Sequence, residues 1–152
     1  MVEKGKIAPD FTLESDDRGP LTLSDFRGSK VVLYFYPKDD TPGCTVQACD
    51  FRDSLPRFEG VDAVVLGISA DDVESHRAFR AKFGLNFPLL ADVGGVVCDQ
   101  YGVWGDRLVD GRPLQGIERS TFLIGADGVV EEVWRGVRAD GHMEMLAERL
   151  GA

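Results

Sequence analysis

This sequence predicts an α/β fold, a mixed sheet flanked by helices on both faces with an N-terminal β-hairpin, and three features carry that expectation. The runs KVVLYFY (residues 30–36) and AVVLGIS (residues 63–69) are apolar and rich in β-branched and aromatic residues, as strands buried on both faces are. Each is followed by a segment whose apolar residues recur at helical spacing, so strand and helix alternate. Near the end, RSTFLI and VVEEVWRG meet across GADG, which adds a hairpin to the βαβ units and makes the sheet mixed.

The elements follow in order. FTLES and LTLSDF flank the turn-rich DDRGP and pair as an edge hairpin. The strand from Lys30 to Tyr36 is stopped by Pro37 and is central, so it points at whatever follows Pro37. In CTVQACDFRDSLPRF, Val46, Cys49 and Phe51 recur at near-helical spacing until Pro56 kinks or ends the helix. DDVESHRAFRAKFG is an amphipathic helix opened by Asp71, with Glu74 in capping-box spacing, and closed by Gly84. PLLAD reads as a short strand, GGVVCDQYG as a short helix and ADGHMEMLAERL as a terminal amphipathic helix. The Gly- and Asp-rich stretch from Trp104 to Glu118 has no clear pattern and is expected to be a loop bordering the site. Phe51, Phe58, Phe79, Phe83 and Phe87 are assigned to core or near-core packing. With neither repeat nor linker, residues 1–152 are expected to form a single domain.

Composition excludes several classes of function. A hydrophobic share of 43% and a charged share of 28% belong to a soluble globular chain, and runs such as VVLYFY are far too short to cross a bilayer. With 17 Lys plus Arg against 26 Asp plus Glu, the net charge of −9 repels phosphate backbones and anionic lipid, so neither nucleic acid nor membrane is an expected partner. MVEKGKIAPDF lacks the apolar core and cleavage site of a secretory signal, which points to the cytoplasm. Three cysteines, Cys44, Cys49 and Cys98, are too few and odd in number for a disulfide scaffold. A metal site is not expected: Cys44 and Cys49 are spaced wider than the usual zinc pair, and His76 and His142 belong to different helices. Both histidines have polar neighbours and are expected at the surface, while Cys98 is read as a core thiol.

A thiol reacts as its thiolate, and a free thiol near pKa 8.5 is mostly protonated at neutral pH. In the first turn of a helix, Cys44 would lie beside unpaired N–H groups and the positive end of the helix dipole, which favour the anion. Pro37 can shape a loop over that sulfur, Thr41 offers a hydroxyl to a bound hydroperoxide, and Gly43 permits close backbone approach. A buried cysteine in an ordinary strand-to-helix turn is the competing account. The second cysteine weighs against it. On an ideal helix, Cys44 and Cys49 face directions roughly 140° apart with Cα atoms about 8 to 9 Å from each other. A disulfide needs about 7 Å or less, so any bond between them requires the first turns to unwind, which would expose Val46.

The stretch VVLYFYPKDDTPGCTVQACDFRD resembles the active-site segment of peroxiredoxins, whose Pro-x-x-x-Thr-x-x-Cys motif is matched by Pro37, Thr41 and Cys44. The spacing to Cys49 is similar to that of the bacterioferritin-comigratory-protein or PrxQ branch, where the resolving cysteine lies on the same helix. APDFTL, the region around LGIS, YGVWG and GIERSTFLI extend the resemblance over nearly the whole chain. It implies a thioredoxin-like fold, Cys44 as peroxidatic nucleophile, Cys49 as resolving thiol, Thr41 as a peroxide-positioning hydroxyl and Arg119 as the guanidinium that steadies thiolate and peroxide. It also implies a hydroperoxide substrate, a thioredoxin-like dithiol reductant, no bound cofactor and a monomer. Two positions depart from the family pattern: Gln47 stands where many relatives carry Glu, and GADG follows the strand where an Asp often follows the isoleucine. Gln47 can hydrogen-bond near the site but carries no charge. A dithiol oxidoreductase would share the fold but normally uses Cys-x-x-Cys, and a non-enzymatic binding domain would leave the thiols inert to peroxide.

Overall fold

Side chains alternate across a sheet, so an unbroken apolar run needs cover on both faces, and the run after Lys30 has it. In the computed structural model, which describes residues 2–109 and 111–152, Val31, Leu33 and Phe35 enter one buried cluster while Val32, Tyr34 and Tyr36 enter another. The chain runs through β1 (Thr12–Ser15), β2 (Gly19–Thr22), β3 (Lys30–Phe35), α1 (Pro42–Glu59), β4 (Ala63–Ser69), α2 (Val73–Phe83), β5 (Leu89–Ala91), α3 (Val96–Gln100), β6 (Trp104–Val109), β7 (Arg112–Ile117), β8 (Ser120–Ile124), β9 (Val130–Trp134) and α4 (His142–Leu150). Seven strands make one mixed sheet in the order β2-β1-β5-β4-β3-β8-β9. The pairs β3–β4 and β4–β5 are parallel, and the other pairs of this sheet are antiparallel. Helices cover both faces as expected: Phe51, Phe58, Phe79 and Leu146 of α1, α2 and α4 pack on one, and Val97 and Cys98 of α3 on the other. Among the described residues no helix is long and apolar enough to cross a membrane.

Four local expectations change. The second arm of the first hairpin stops at Thr22, and Leu23–Phe26 is a 3-10 turn. Asp10 draws the chain away there, accepting from the Ser24 backbone N–H at 2.9 Å and from its hydroxyl at 2.8 Å. Pro56 does not end α1. The carbonyl of Arg52, which a proline four residues on cannot serve, accepts from Asn86 Nδ2 at 3.1 Å, so the helix continues to Glu59. The cap of α2 is Asp72, whose Oδ1 accepts from Ser75 N at 2.8 Å; Asp71 is used elsewhere. Gly84 closes this helix at φ 62°, as expected.

The stretch from Trp104 to Glu118 is not an irregular loop. It is the antiparallel hairpin of β6 and β7, paired from Trp104 with Ile117 to Val109 with Arg112. A two-stranded ribbon satisfies its own backbone groups whatever its side chains, so polar, Gly-rich composition did not preclude it. Its turn holds Gly111 at φ 76°, and Asp110 lies outside the described residues.

Candidate active site

The central strand β3 delivers the chain to its C-terminal edge, where Pro37 to Thr41 turn it into α1. Pro42 takes the first helical position, where its missing N–H is no loss, and Thr45 N donates to the Thr41 carbonyl at 2.8 Å as the helix begins. Cys44 is thus in the first turn, as expected, and only 1% exposed. No acidic side chain stands in that turn, so the backbone N–H groups of Gly43 and Cys44 face the sulfur's surroundings without a competing carboxylate cap.

Thr41 makes no side-chain cap bond to the helix. Its hydroxyl instead donates to the Lys38 carbonyl at 2.8 Å, which commits its proton and leaves its lone pairs to accept a hydrogen bond. Arg119, between β7 and β8, donates from Nη2 to the Cys44 sulfur at 3.4 Å and from Nη1 to Gln47 Oε1 at 2.5 Å. Among the described residues no carboxylate pairs with this guanidinium, so its charge faces the thiol. Gly43 makes room for it: a Cβ there would stand 3.0 Å from Arg119 Nη2. Gln47, one turn beyond Cys44, is 0% exposed, and its Nε2 has no partner among the described residues. Pro37 is half-buried at the head of the same loop.

Cys49 lies on the same helix but is only partly buried, and both thiols are free. Five helical positions put the pair about 8 to 9 Å apart at Cα, beyond the roughly 7 Å a disulfide spans. Val46 is already 45% exposed, so unwinding would not expose it anew; Gln47 and Ala48, both buried, are the residues it would uncover. Cys98 is a core thiol as expected, at 0% exposure.

Neither histidine is at the surface. His76 is 0% and His142 4% exposed. The polar neighbours Glu74, Ser75 and Arg77 mask a spacing that carried the answer: His76 is three residues before Phe79 and seven before Phe83, on the stripe that α2 turns to the sheet. His142 accompanies Leu146 on α4 in the same way, with Nε2 2.8 Å from Thr121 Oγ1. Burial first, and then the nearby charge of Arg119, push His142 down to about 4, so it is neutral at physiological pH. His76 joins Asp39 and Asp71 in a buried network around the loop before Cys44, which a sequence reading confined to one element at a time does not find.

Residues 4–133 match the AhpC/TSA family. Peroxiredoxin Bcp of Bacillus subtilis is 45% identical over 149 residues, covering 98% of this chain and 95% of its own. A mutant of PrxQ from Xylella fastidiosa superposes with a TM-score of 0.94 at 38% identity, over 99% of this chain and 96% of that one. The bacterioferritin comigratory protein of Xanthomonas campestris, described in connection with its alkyl peroxide reduction activity, gives 0.87 at 39% identity over 93% and 90%. The fold shared with these neighbours is thioredoxin-like.

Proposed function

The chain belongs to the AhpC/TSA family and is a peroxiredoxin of the Bcp/PrxQ group, and from that premise we propose the route by which it reduces peroxides. The observation that carries the proposal is the 3.4 Å approach of the Arg119 guanidinium, which no carboxylate pairs among the described residues, to a buried thiol in the first turn of a helix. Cys44, as thiolate, attacks the terminal oxygen of a hydroperoxide; the O–O bond breaks, the alcohol or water leaves with a proton, and Cys44 becomes a sulfenic acid. Arg119 stabilises the negative charge on sulfur and on the departing oxygen. Thr41, its own proton held by Lys38, accepts from the hydroperoxide O–H and aims it at sulfur.

Cys49 then condenses with the sulfenic acid, releasing water and forming a disulfide, after the first turns of α1 unwind. A thioredoxin-like dithiol returns both cysteines to thiols and leaves as a disulfide. No bound cofactor enters this cycle. Hydrogen peroxide fits the site as substrate, and small organic hydroperoxides join it by similarity to the Xanthomonas protein. The whole chain acts as one domain, since both buried clusters share β3. It works as a monomer in a thiol-reducing compartment, the cytoplasm, where free cysteines and a dithiol donor coexist.

Stopped-flow consumption of hydrogen peroxide, with and without reduced thioredoxin, tests the proposal. Rapid single turnover of protein alone and sustained turnover with thioredoxin are expected. Thiols inert to peroxide would overturn the peroxidatic assignment, and turnover with another dithiol but not thioredoxin would overturn the reductant.

A further inference from the structure

A buried imidazole must find partners for both ring nitrogens, and the partners of His76 fix its charge. Nε2 lies 2.9 Å from the Leu90 carbonyl, which can only accept, so Nε2 carries a proton. Nδ1 lies 2.7 Å from Oδ2 of Asp39. That carboxyl group already accepts from the Tyr36 hydroxyl at 2.6 Å on Oδ1 and from Ser75 Oγ at 2.8 Å on Oδ2, so both its oxygens act as acceptors. Nδ1 therefore donates as well, and His76 is an imidazolium paired with a carboxylate in the interior.

The pair grips the loop that leads to Cys44. Asp39 is held by its side chain and also by its backbone N–H, which donates to Asp71 Oδ2 at 2.8 Å; the same oxygen accepts from Ser69 Oγ at 2.7 Å. The next residue, Asp40, sits at φ 57°, a conformation that costs free energy outside glycine and persists only where its surroundings hold it. The carbonyl that takes the Thr41 proton belongs to Lys38, so it is part of the Lys38–Asp39 peptide. The direction of the Thr41 hydroxyl thus depends on a peptide anchored through Asp39.

We propose that His76 is a positioning residue of the peroxidatic site: through its ion pair with Asp39 it fixes the Lys38–Asp39 peptide, and with it the Thr41 hydroxyl that meets the peroxide beside Cys44. The inference rests on the peroxidase route above and extends it to a residue that touches neither sulfur nor substrate. It also carries a pH signature. The groups facing the ring are Asp39 and Tyr36 from the end of β3 and its loop, Asp71 from the approach to α2, and the Leu90 carbonyl of β5. Burial opposes the charge, but the hydrogen bond and charge of Asp39, helped by Leu90 and Asp71, hold His76 above the ordinary imidazole range. Because the value is raised in the fold, both donated bonds are present below the ordinary imidazole range, and one of the two is given up as pH climbs through the raised value. The rate with peroxide should therefore fall on the alkaline side.

The test is a double-mutant cycle on reduced protein, with hydrogen peroxide oxidation of Cys44 as one readout and its alkylation by iodoacetamide, followed by peptide mapping, as the other. His76→Ala should slow peroxide attack about tenfold or more while alkylation, which does not use Thr41, changes less than about threefold. In a Thr41→Val background the same substitution should cost less than about twofold. Asp39→Asn removes the ion pair but keeps the shape, with Oδ1 accepting from Tyr36 and Nδ2 donating to a neutral Nδ1; it should lose the alkaline fall. Effects that multiply in the double variant, or equal losses in both readouts, would overturn the positioning role. Should His76→Ala not fold, the profile of Asp39→Asn decides, and an alkaline fall that survives there overturns the proposal. Wild-type protein that alkylates normally but ignores peroxide would instead sink the peroxidase route, and this inference with it.

Discussion

Cys44 is the third residue of α1 and Cys98 the third of α3, and both are buried, at 1% and 0% exposure. Each sulfur therefore lies near a helix start, where N–H groups and the dipole favour an anion. At α3 that place is taken. The Asp92 carboxylate accepts from the backbone N–H of Val97 at 3.2 Å and of Cys98 at 2.7 Å, so a thiolate there would face an existing negative charge. Burial, and then the contact with Asp92, push the Cys98 thiol up. At α1 the first turn carries no acid, and the charge that faces the sulfur is the Arg119 guanidinium. A helix start does not by itself make a thiol reactive; the sign of the charge set against it decides.

The largest break of this comparison is to exchange the sulfurs for oxygen. Cys44→Ser should lower peroxide turnover by on the order of a thousandfold or more, because the hydroxyl is a far weaker nucleophile with no base beside it. Cys98→Ser should consume peroxide as wild type does, losing at most about 1 to 2 kcal/mol of stability from a buried hydroxyl. A coupled thioredoxin assay and thermal melts read both, and an inactive Cys98→Ser that folds would reverse the assignment.

Removing the cation should come next. Arg119→Ala deletes the charge at 3.4 Å and frees Gln47 from its only described partner, so the second-order rate with hydrogen peroxide should fall about 10- to 100-fold. An unchanged rate would take Arg119 out of the site. A subtler change makes the first site more like the second. Gln47→Glu would set a carboxylate against Arg119, as Asp92 is set beside Cys98, and should slow peroxide attack by about three- to tenfold. It also replaces a buried amide nitrogen that has no partner among the described residues by an acceptor, so its melting temperature should be no lower than wild type. A faster enzyme would mean that Gln47 works through shape and not through neutrality.

The two sites also differ in how far the chain alone announces them. The strand before Cys44 is legible because an apolar, β-branched run ending at Pro37 has few alternatives, and Pro42 then sits where a helix begins. Arg119, 75 positions from Cys44, is not legible from spacing, and only its place in a family-like segment, GIERSTFLI, marks it. The grip of Asp39 by His76 and Asp71 is invisible for the same reason: it joins residues 37 and 32 positions apart on different elements. The burial of His76 is legible in the helical stripe it shares with two phenylalanines, although charged neighbours in sequence mask it. The β6–β7 ribbon is obscured by its Gly- and Asp-rich composition, since a self-paired hairpin needs no alternating apolar pattern.

Oxidation should separate the two helices by the smallest but most local effect. For Cys44 to reach Cys49, the first turns of α1 must open, because an ideal helix holds them about 8 to 9 Å apart at Cα. Opening breaks the Arg119 contacts to Cys44 and Gln47, uncovers the buried Gln47 and Ala48, and gives up several backbone hydrogen bonds worth about 1 kcal/mol each. The new crosslink closes a loop of only a few residues, which offsets about 2 kcal/mol through chain entropy. The loss exceeds the gain, so oxidised protein should melt a few degrees below reduced protein. Nothing in the cycle asks α3 to move. Hydrogen exchange should therefore accelerate across residues 44 to 52 on peroxide treatment and stay unchanged across 96 to 101, with peptide mapping giving a Cys44–Cys49 bond. In Cys49→Ser the first segment should stay protected after one equivalent of peroxide, with Cys44 held as sulfenic acid and driven to higher acids by excess. Equal protection of residues 44 to 52 in both redox states of the wild type, or a bond from Cys44 to Cys98, would exclude local unwinding as the route to the disulfide.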